Sequence, residues 1–227
     1  MKSKPKACFI VVAGLFAFLL LFCGCETNPI FSTPEKEIIE DDSDGEYLKK
    51  PNIYLYPEYE LQLSVRIEFP LGGEITQSDP EYGSGWDVFV DTEGLIDHQY
   101  SCLFYECVVP TDIFQRTEGW IVEQKDLTEF FQSNLRAYGF IEHEIQDFLD
   151  YWIPLLDEKD YYEIFPQHEE LIDQVVRLEF SHQPNSILRL FYLINGTDQP
   201  GADLTVPEII PFARQGFTVV EWGGILP

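Results

Sequence analysis

Basic residues are scarce in this sequence. Fourteen Lys and Arg stand against 40 Asp and Glu, which gives a formal net charge of -26. Because nucleic-acid binding depends on basic side chains that neutralise phosphates, this charge argues against any nucleic-acid partner. Disorder is not indicated, since 18 Phe, 12 Tyr and 4 Trp supply the apolar surface that disordered acidic chains lack.

Histidine is also scarce, and the motifs of common enzyme classes are absent. The sequence has neither a zinc-type His-Glu-x-x-His pattern, nor a Gly-x-Ser-x-Gly turn, nor a Gly-rich phosphate loop before a helix. The four histidines are scattered along the chain: His98, His143, His168 and His182. We therefore predict no metal site and no cofactor, and the sequence identifies no catalytic residue.

After residue 25 the sequence contains only two cysteines, Cys102 and Cys107. The residues between them are typical of a strand, which would separate the two Cα atoms by about 16 Å. A disulfide tolerates about 7 Å, so a bridge would need a tight turn between them. The sequence favours two small buried side chains, and the bridge stays open as the alternative.

The N-terminus has the layout of an export signal. Lys2, Lys4 and Lys6 form a positive end, and residues 7–22 are uncharged and strongly apolar. A small residue, Gly24, then follows, as at the cleavage site of a secretory signal. The apolar run is somewhat shorter than the roughly 20 residues of a membrane-spanning helix.

The cysteine after Gly24 points to a lipid anchor. The stretch 22–25, Phe-Cys-Gly-Cys, resembles the bacterial lipobox, in which a small residue precedes a cysteine that is lipidated and becomes the mature N-terminus. The resemblance implies that Cys25 is the lipidated residue, although Phe22 stands where that signal usually has Leu. It implies an extracytoplasmic protein of the bacterial cell envelope, attached to the membrane through its N-terminal lipid. An ordinary cleaved signal and an uncleaved span are the alternatives.

Composition divides the remaining chain into two parts. Residues 25–50 are rich in charge, Pro, Ser and Thr, which predicts an acidic flexible tether. Its acidic block does not match a calcium loop, because Pro51 occupies the position of the bidentate Glu. Residues 51–227 are predicted to form a single globular domain, with strands marked by alternating or continuous apolar residues at 61–69, 86–90, 100–109, 175–180, 187–194 and 216–224.

The middle of the chain changes to helical spacing. Asp126 and Glu129 match a capping box, and Gly139 is placed to end the first helix. A second helix is predicted at about 142–153, ended by Pro154. It contains neither Lys nor Arg, which argues against a DNA-binding helix-turn-helix. The predicted fold is therefore α+β, a mainly antiparallel sheet (meander or sandwich-like) with a helical hairpin near 126–153.

Aromatic and acidic residues suggest two functional hypotheses. Tyr54, Tyr56 and Tyr59 recur in PNIYLYPEYE and, with Trp222, are candidates for a ligand-binding face, because exposed aromatic residues are rigid and amphipathic. The same stretch could instead be an edge strand whose pairing is limited by Pro57. The second hypothesis is a hydrolase of envelope or extracellular polymers that uses carboxylates such as Glu58 or Glu221.

Three segments carry a resemblance to a known family. KPNIYLYPE, FLDYWIPLL and RQGFTVVEWGG together resemble a family of uncharacterised bacterial exported proteins, over most of residues 50–224. Ile153 stands where that family usually has Leu. The resemblance implies the domain boundaries but no activity. The leading expectation is a binding or envelope-interaction module of unknown ligand, with an envelope protein or a carbohydrate as partner. A purely structural envelope protein is a further alternative.

Overall fold

The computed structural model describes residues 46–201 and 204–227. Within these residues the chain forms ten strands, three α-helices and the 3₁₀ turns Gln124–Asp126 and Ile153–Leu155. The helices are α1 (Leu127–Tyr138), α2 (Glu142–Trp152) and α3 (Glu169–Val175). The strands are β1 (Glu46–Tyr56), β2 (Leu61–Glu68), β3 (Glu74–Asp79), β4 (Trp86–Val90), β5 (Leu103–Val109), β6 (Trp120–Glu123), β7 (Tyr161–His168), β8 (Arg177–Phe180), β9 (Ser186–Thr197) and β10 (Thr218–Ile225).

The strands form two sheets. The larger has seven strands in the order β3-β5-β1-β10-β9-β7-β6, and the smaller has the order β4-β2-β8. Every described strand pair is antiparallel except β9 with β10, which run parallel. The predicted α+β class with a mainly antiparallel sheet is confirmed.

The seven-stranded sheet is covered on both faces. On one face Leu55, Phe191 and Val219 pack with the three-stranded sheet and α3 in a single apolar cluster. On the other face α1 and α2 bury a second cluster that includes Tyr192 and Trp222 of the sheet. The central strands are therefore apolar on both faces, as a sheet with two covered faces requires.

Strand β1 is central, not an edge. It lies between β5 and β10, and it begins at Glu46, inside the segment 25–50 that composition assigns to the tether. Leu48 explains the earlier start, because it is fully buried and pairs with Ile225. Pro57 follows the last residue of the strand, so its missing N–H removes no bond from the ladder. The predicted signal peptide, Cys25 and residues 25–45 of the tether lie outside the described residues.

The helical hairpin forms where its spacing predicts. Gly139 ends α1 with φ 111°, and its N–H donates to the Leu135 carbonyl at 3.2 Å. The predicted capping box is wrong in one respect, since Asp126 makes no side-chain cap; it closes the preceding 3₁₀ turn with αR backbone angles. At 12 residues α1 is the longest helix of the described part of the chain, and no helix there has the length and apolar character to cross a membrane.

Candidate binding groove

Tyr54 and Trp222 lie in the core. Both side chains are fully buried, on neighbouring strands β1 and β10, with ring centroids 6.4 Å apart. The Tyr54 hydroxyl donates to Asp147 Oδ2 of α2 at 2.8 Å, and burial raises the pKa of Tyr54 far above its usual value. The helical hairpin covers this face of the sheet, so neither ring is placed to meet an external ligand.

Tyr56 is half-buried and fastened to α2. Its hydroxyl donates to Glu144 Oε1 at 2.7 Å and lies 2.8 Å from His143 Nε2. Arg214 donates to the other Glu144 oxygen at 2.5 Å and places its guanidinium 5.2 Å from the Tyr56 ring centroid. Burial, followed by the Glu144 carboxylate, raises the pKa of Tyr56. These contacts attach β1 to the hairpin, and the Tyr56 hydroxyl is occupied by hydrogen bonds within the protein.

Tyr59 is the exposed member of the predicted set. Its side chain is 58 % exposed and makes an edge contact with the His182 ring, with centroids 6.3 Å apart. The four aromatic residues proposed from the sequence are therefore not brought together on one surface. The alternation of β1 sends Tyr54 and Tyr56 beneath the hairpin, while Tyr59 follows the end of the strand.

The three segments that carry the family resemblance meet at this covered face. KPNIYLYPE includes most of β1, RQGFTVVEWGG includes most of β10, and FLDYWIPLL ends α2. Phe148 of α2 packs 5.2 Å from Trp222, measured between ring centroids. A Cβ on Gly224 would lie 2.4 Å from Trp152 Cζ2, so only glycine allows this approach. The segments therefore form a packing unit between the sheet and the hairpin.

Glu221 belongs to a buried ion pair on the opposite face. Its Oε2 accepts from Arg189 Nε at 2.6 Å, and its Oε1 accepts from the Tyr105 hydroxyl at 2.8 Å. Both charged side chains are at most 1 % exposed, and Arg189 also pairs with Asp173 of α3. The parallel register of β9 and β10 places Arg189 directly beside Glu221.

Glu58, the other carboxylate of the hydrolase hypothesis, is exposed after the end of β1. The structure does not bring Glu58 and Glu221 together, because Glu221 is fully buried in its ion pair. A carboxylate whose two oxygens are held by Tyr105 and Arg189 is a structural group. The geometry thus assembles no acid–base pair from these two residues.

Both cysteines of the described chain are free thiols. They are five residues apart on and beside β5, so they face opposite sides of the sheet: Cys107 packs in the cluster under the small sheet and Cys102 in the cluster under the hairpin. Burial raises the pKa of the Cys102 thiol to about 12 and that of Cys107 well above its usual value. The predicted burial is confirmed for Cys107, whereas Cys102 is only partly buried, and the two thiols form no bridge.

An open groove of about 280 Å³ lies elsewhere on the surface. Its walls are the loop between β5 and β6, the end of β7, the start of α3, and the segment 204–212, which lies outside the named helices and strands and which we call the strap. The lining residues combine polar, acidic and apolar side chains: Gln115, Thr117, Glu118, Pro166, His168, Glu170, Leu171 and Pro207. This is the candidate binding site of the described residues.

Two glutamines fix the loop that forms one wall. The fully buried Gln167 accepts from the Gln115 backbone N–H through Oε1 and donates to the Gln115 carbonyl through Nε2, both at 2.9 Å. The Gln115 side chain in turn accepts from the backbone N–H of Thr117 and of Glu118 at 3.0 and 2.9 Å. Every polar atom of the pair is used, so the wall is held in place before any ligand arrives.

The strap is attached at both ends and exposes apolar side chains between them. Thr205 accepts from the Gly119 N–H at 2.9 Å, and the Phe212 N–H donates to the Tyr138 carbonyl at 2.9 Å. Pro207 is buried, whereas Val206 and Ile210 are 68 % and 76 % exposed. These are the two most exposed large apolar side chains in the described part of the chain.

His168 lies at the rim of the groove. Its pKa is lowered because neighbouring protein atoms remove water from the imidazole, while the carboxylates of Glu118 and Glu170 act in the opposite direction. Burial thus favours the uncharged imidazole, and the carboxylates of Glu118 and Glu170 are the acidic groups that line the groove. Across residues 46–201 and 204–227, no group of three His, Cys, Asp or Glu side chains is arranged to hold a metal ion.

No protein-family model, curated protein or solved structure matches this chain. The groove is also not predicted from the sequence, where His168 is one of four scattered histidines. Its walls come from three segments: residues 115–118, residues 166–171 about 50 positions later, and Pro207 about 90 positions after the first segment. A partial signal lies in TVPEIIPF (205–212), where two prolines separate apolar residues that no strand or helix pattern explains.

Proposed function

We propose that this protein is a lipid-anchored, extracytoplasmic binding module that holds its partner at the groove. The observation that carries the proposal is the preformed groove, with its glutamine-fixed wall, beside a strap that exposes Val206 and Ile210. Neighbouring exposed apolar side chains beside a concave polar site are typical of interaction surfaces.

The N-terminal sequence supports the anchor. A positive end, an apolar run and Gly24-Cys25 are the features of a lipoprotein signal. Each buried CH₂ contributes about 0.8 kcal/mol, so two or more acyl chains on Cys25 would hold the domain at a membrane without a spanning helix. A domain anchored in this way meets its partners within the cell envelope.

The placement of the carboxylates favours binding over hydrolysis. Catalysis of sugar hydrolysis needs two carboxyl groups on either side of one bond, roughly 5–10 Å apart. Glu221 is enclosed with Arg189 in the core and Glu58 is exposed after β1. Glu118 and Glu170 line the groove together with His168, and both carboxylates are exposed at its rim.

Photo-crosslinking in intact cells tests the binding role. A photoreactive amino acid at position 206 should give a discrete adduct with an envelope component, because Val206 borders the groove on the strap. The control places the same amino acid at position 71, where Leu71 is 51 % exposed in the turn after β2. No adduct from position 206, or the same adducts from both positions, would contradict a binding role for the groove.

A further inference from the structure

The groove and the strap together present a surface of defined chemistry. We propose that they receive an extended, basic segment of a partner protein, with cationic side chains over Glu118 and Glu170 and apolar side chains against Val206 and Ile210. This inference rests on the proposed binding function and names the chemistry of its partner. Three properties of the described residues support it: the acidic rim of the groove, the exposed apolar side chains of the strap, and the backbone groups of the strap that make no hydrogen bond.

The charge of the groove selects a cation. Glu118 and Glu170 are both exposed at its rim, and the described residues that line it include no Lys or Arg. Arg116 belongs to the same loop but does not line the groove. The whole chain carries -26, so the long-range field attracts a basic partner and repels an acidic one. A second copy of this chain is disfavoured for the same reason.

The strap supplies an apolar row with the spacing of an extended chain. Val206 and Ile210 are both exposed and four residues apart, which corresponds to about 13 Å along an extended backbone. Glu208 lies between them and is also exposed, whereas Pro207 is buried and Ile209 is partly buried, which is the alternation of an extended chain. Successive residues of an extended ligand face opposite sides, so a ligand with basic and apolar residues in turn at every second position can meet Glu208 and the apolar side chains beside it. A compact ligand in the groove would leave Ile210 uncovered.

The backbone of the strap is available for pairing. Between Val206 and Pro211 it makes no backbone hydrogen bond with another described residue, although its two ends are bonded to Gly119 and Tyr138. Extended segments held in this way are the template for strand addition, in which main-chain hydrogen bonds supply affinity and side chains supply specificity. Pro207 and Pro211 lack the N–H, which limits the pairing to the residues between them.

The direct test uses a fluorescent peptide of repeating Lys-Thr-Val-Thr, which presents Lys and Val in turn on one face of an extended chain, bound to the full chain in detergent. We expect saturable binding that weakens as salt is added, because the attraction is between charges at the surface. The variant E118Q/E170Q should bind roughly 5- to 30-fold more weakly, as two partly exposed ion pairs are lost. The variant V206S/I210S should also bind the peptide more weakly.

Matched controls separate the groove from the general acidity of the surface. The variant E81Q/E93Q removes the same charge from two exposed turns, and L71S/L95S removes apolar side chains that are 51 % and 37 % exposed. Both should change the affinity less than about twofold. If E81Q/E93Q and E118Q/E170Q lose the same affinity for the peptide, or if the wild type shows no saturable binding, the proposal is wrong.

Two further peptides define the chemistry that is recognised. With Glu in place of Lys the peptide should not bind, and with Ser in place of Val it should bind more weakly. Equal binding of the Ser peptide would overturn the role of the strap. If position 206 gives a discrete adduct in cells while the Lys-Val peptide does not bind, the binding function stands and the partner chemistry proposed here is wrong.

Discussion

Arg189→Ala is expected to lower the free energy of unfolding by about 3–5 kcal/mol, because it leaves the buried Glu221 carboxylate without its positive partner. The guanidinium also donates to the Val176 carbonyl at 2.9 Å and pairs with Asp173, so one substitution removes side-chain contacts from β9 to both β10 and α3. Denaturant unfolding, followed by far-UV circular dichroism, measures the loss through the midpoint at constant slope.

The control for this prediction is an exposed arginine on β8 of the three-stranded sheet. Arg177 is 50 % exposed and lies 3.7 Å from Glu68, so Arg177→Ala should cost less than about 1 kcal/mol. We also predict that replacing both Arg189 and Glu221 by Met lowers the free energy of unfolding less than Arg189→Ala alone, since the double variant leaves neither charge of the pair buried. A small effect of Arg189→Ala, similar to that of Arg177→Ala, would show that the ion pair is not needed.

Trp222→Ala is expected to cost about 3–5 kcal/mol as well, in this case through a cavity. Trp222 is fully buried and packs against Phe148 of α2 and against Tyr54 of β1. Its removal therefore leaves a cavity between the hairpin and the sheet, and thermal unfolding should show the loss as a lower Tm. Trp222→Phe keeps much of the volume and should be less destabilising.

Tyr59→Ala is the matched test of whether the aromatic residues of this region are structural or exposed for binding. Tyr59 is 58 % exposed, so its removal should change stability by less than about 0.5 kcal/mol. A Trp222→Ala protein as stable as the wild type would contradict the core placement of Trp222. It would instead support the exposed aromatic ligand-binding face that the sequence suggests.

Elements with strong periodicity could be predicted from the sequence, and weakly patterned ones could not. The apolar spacing and Gly139 identify α1 and α2 within about one residue of their observed bounds. The continuous apolar run of β9 indicates a central strand, and it lies between β10 and β7. Strand β3 is polar and mostly exposed, and α3 has only seven residues, so neither carries a periodic signal.

The surroundings of the candidate residues depend on contacts that sequence spacing does not contain. Tyr54 and Tyr56 share one face of β1, but their burial is decided by α2, which lies about 90 residues further along the chain. The aromatic residues around Glu221 in the sequence suggest a catalytic acid. The parallel register places Arg189 beside it, which makes it half of a buried ion pair. The groove depends in the same way on Gln115 meeting Gln167, 52 residues apart.

The proposed lipid anchor at Cys25 would place the binding groove at a membrane surface, and the intact mass of the membrane-extracted protein tests this proposal most directly. We predict that the wild type begins at Cys25 and carries acyl mass, and that Cys25→Ala loses both the acyl mass and membrane retention. An unmodified N-terminus, or membrane retention that survives Cys25→Ala, would contradict the lipid anchor and with it the extracytoplasmic site of binding.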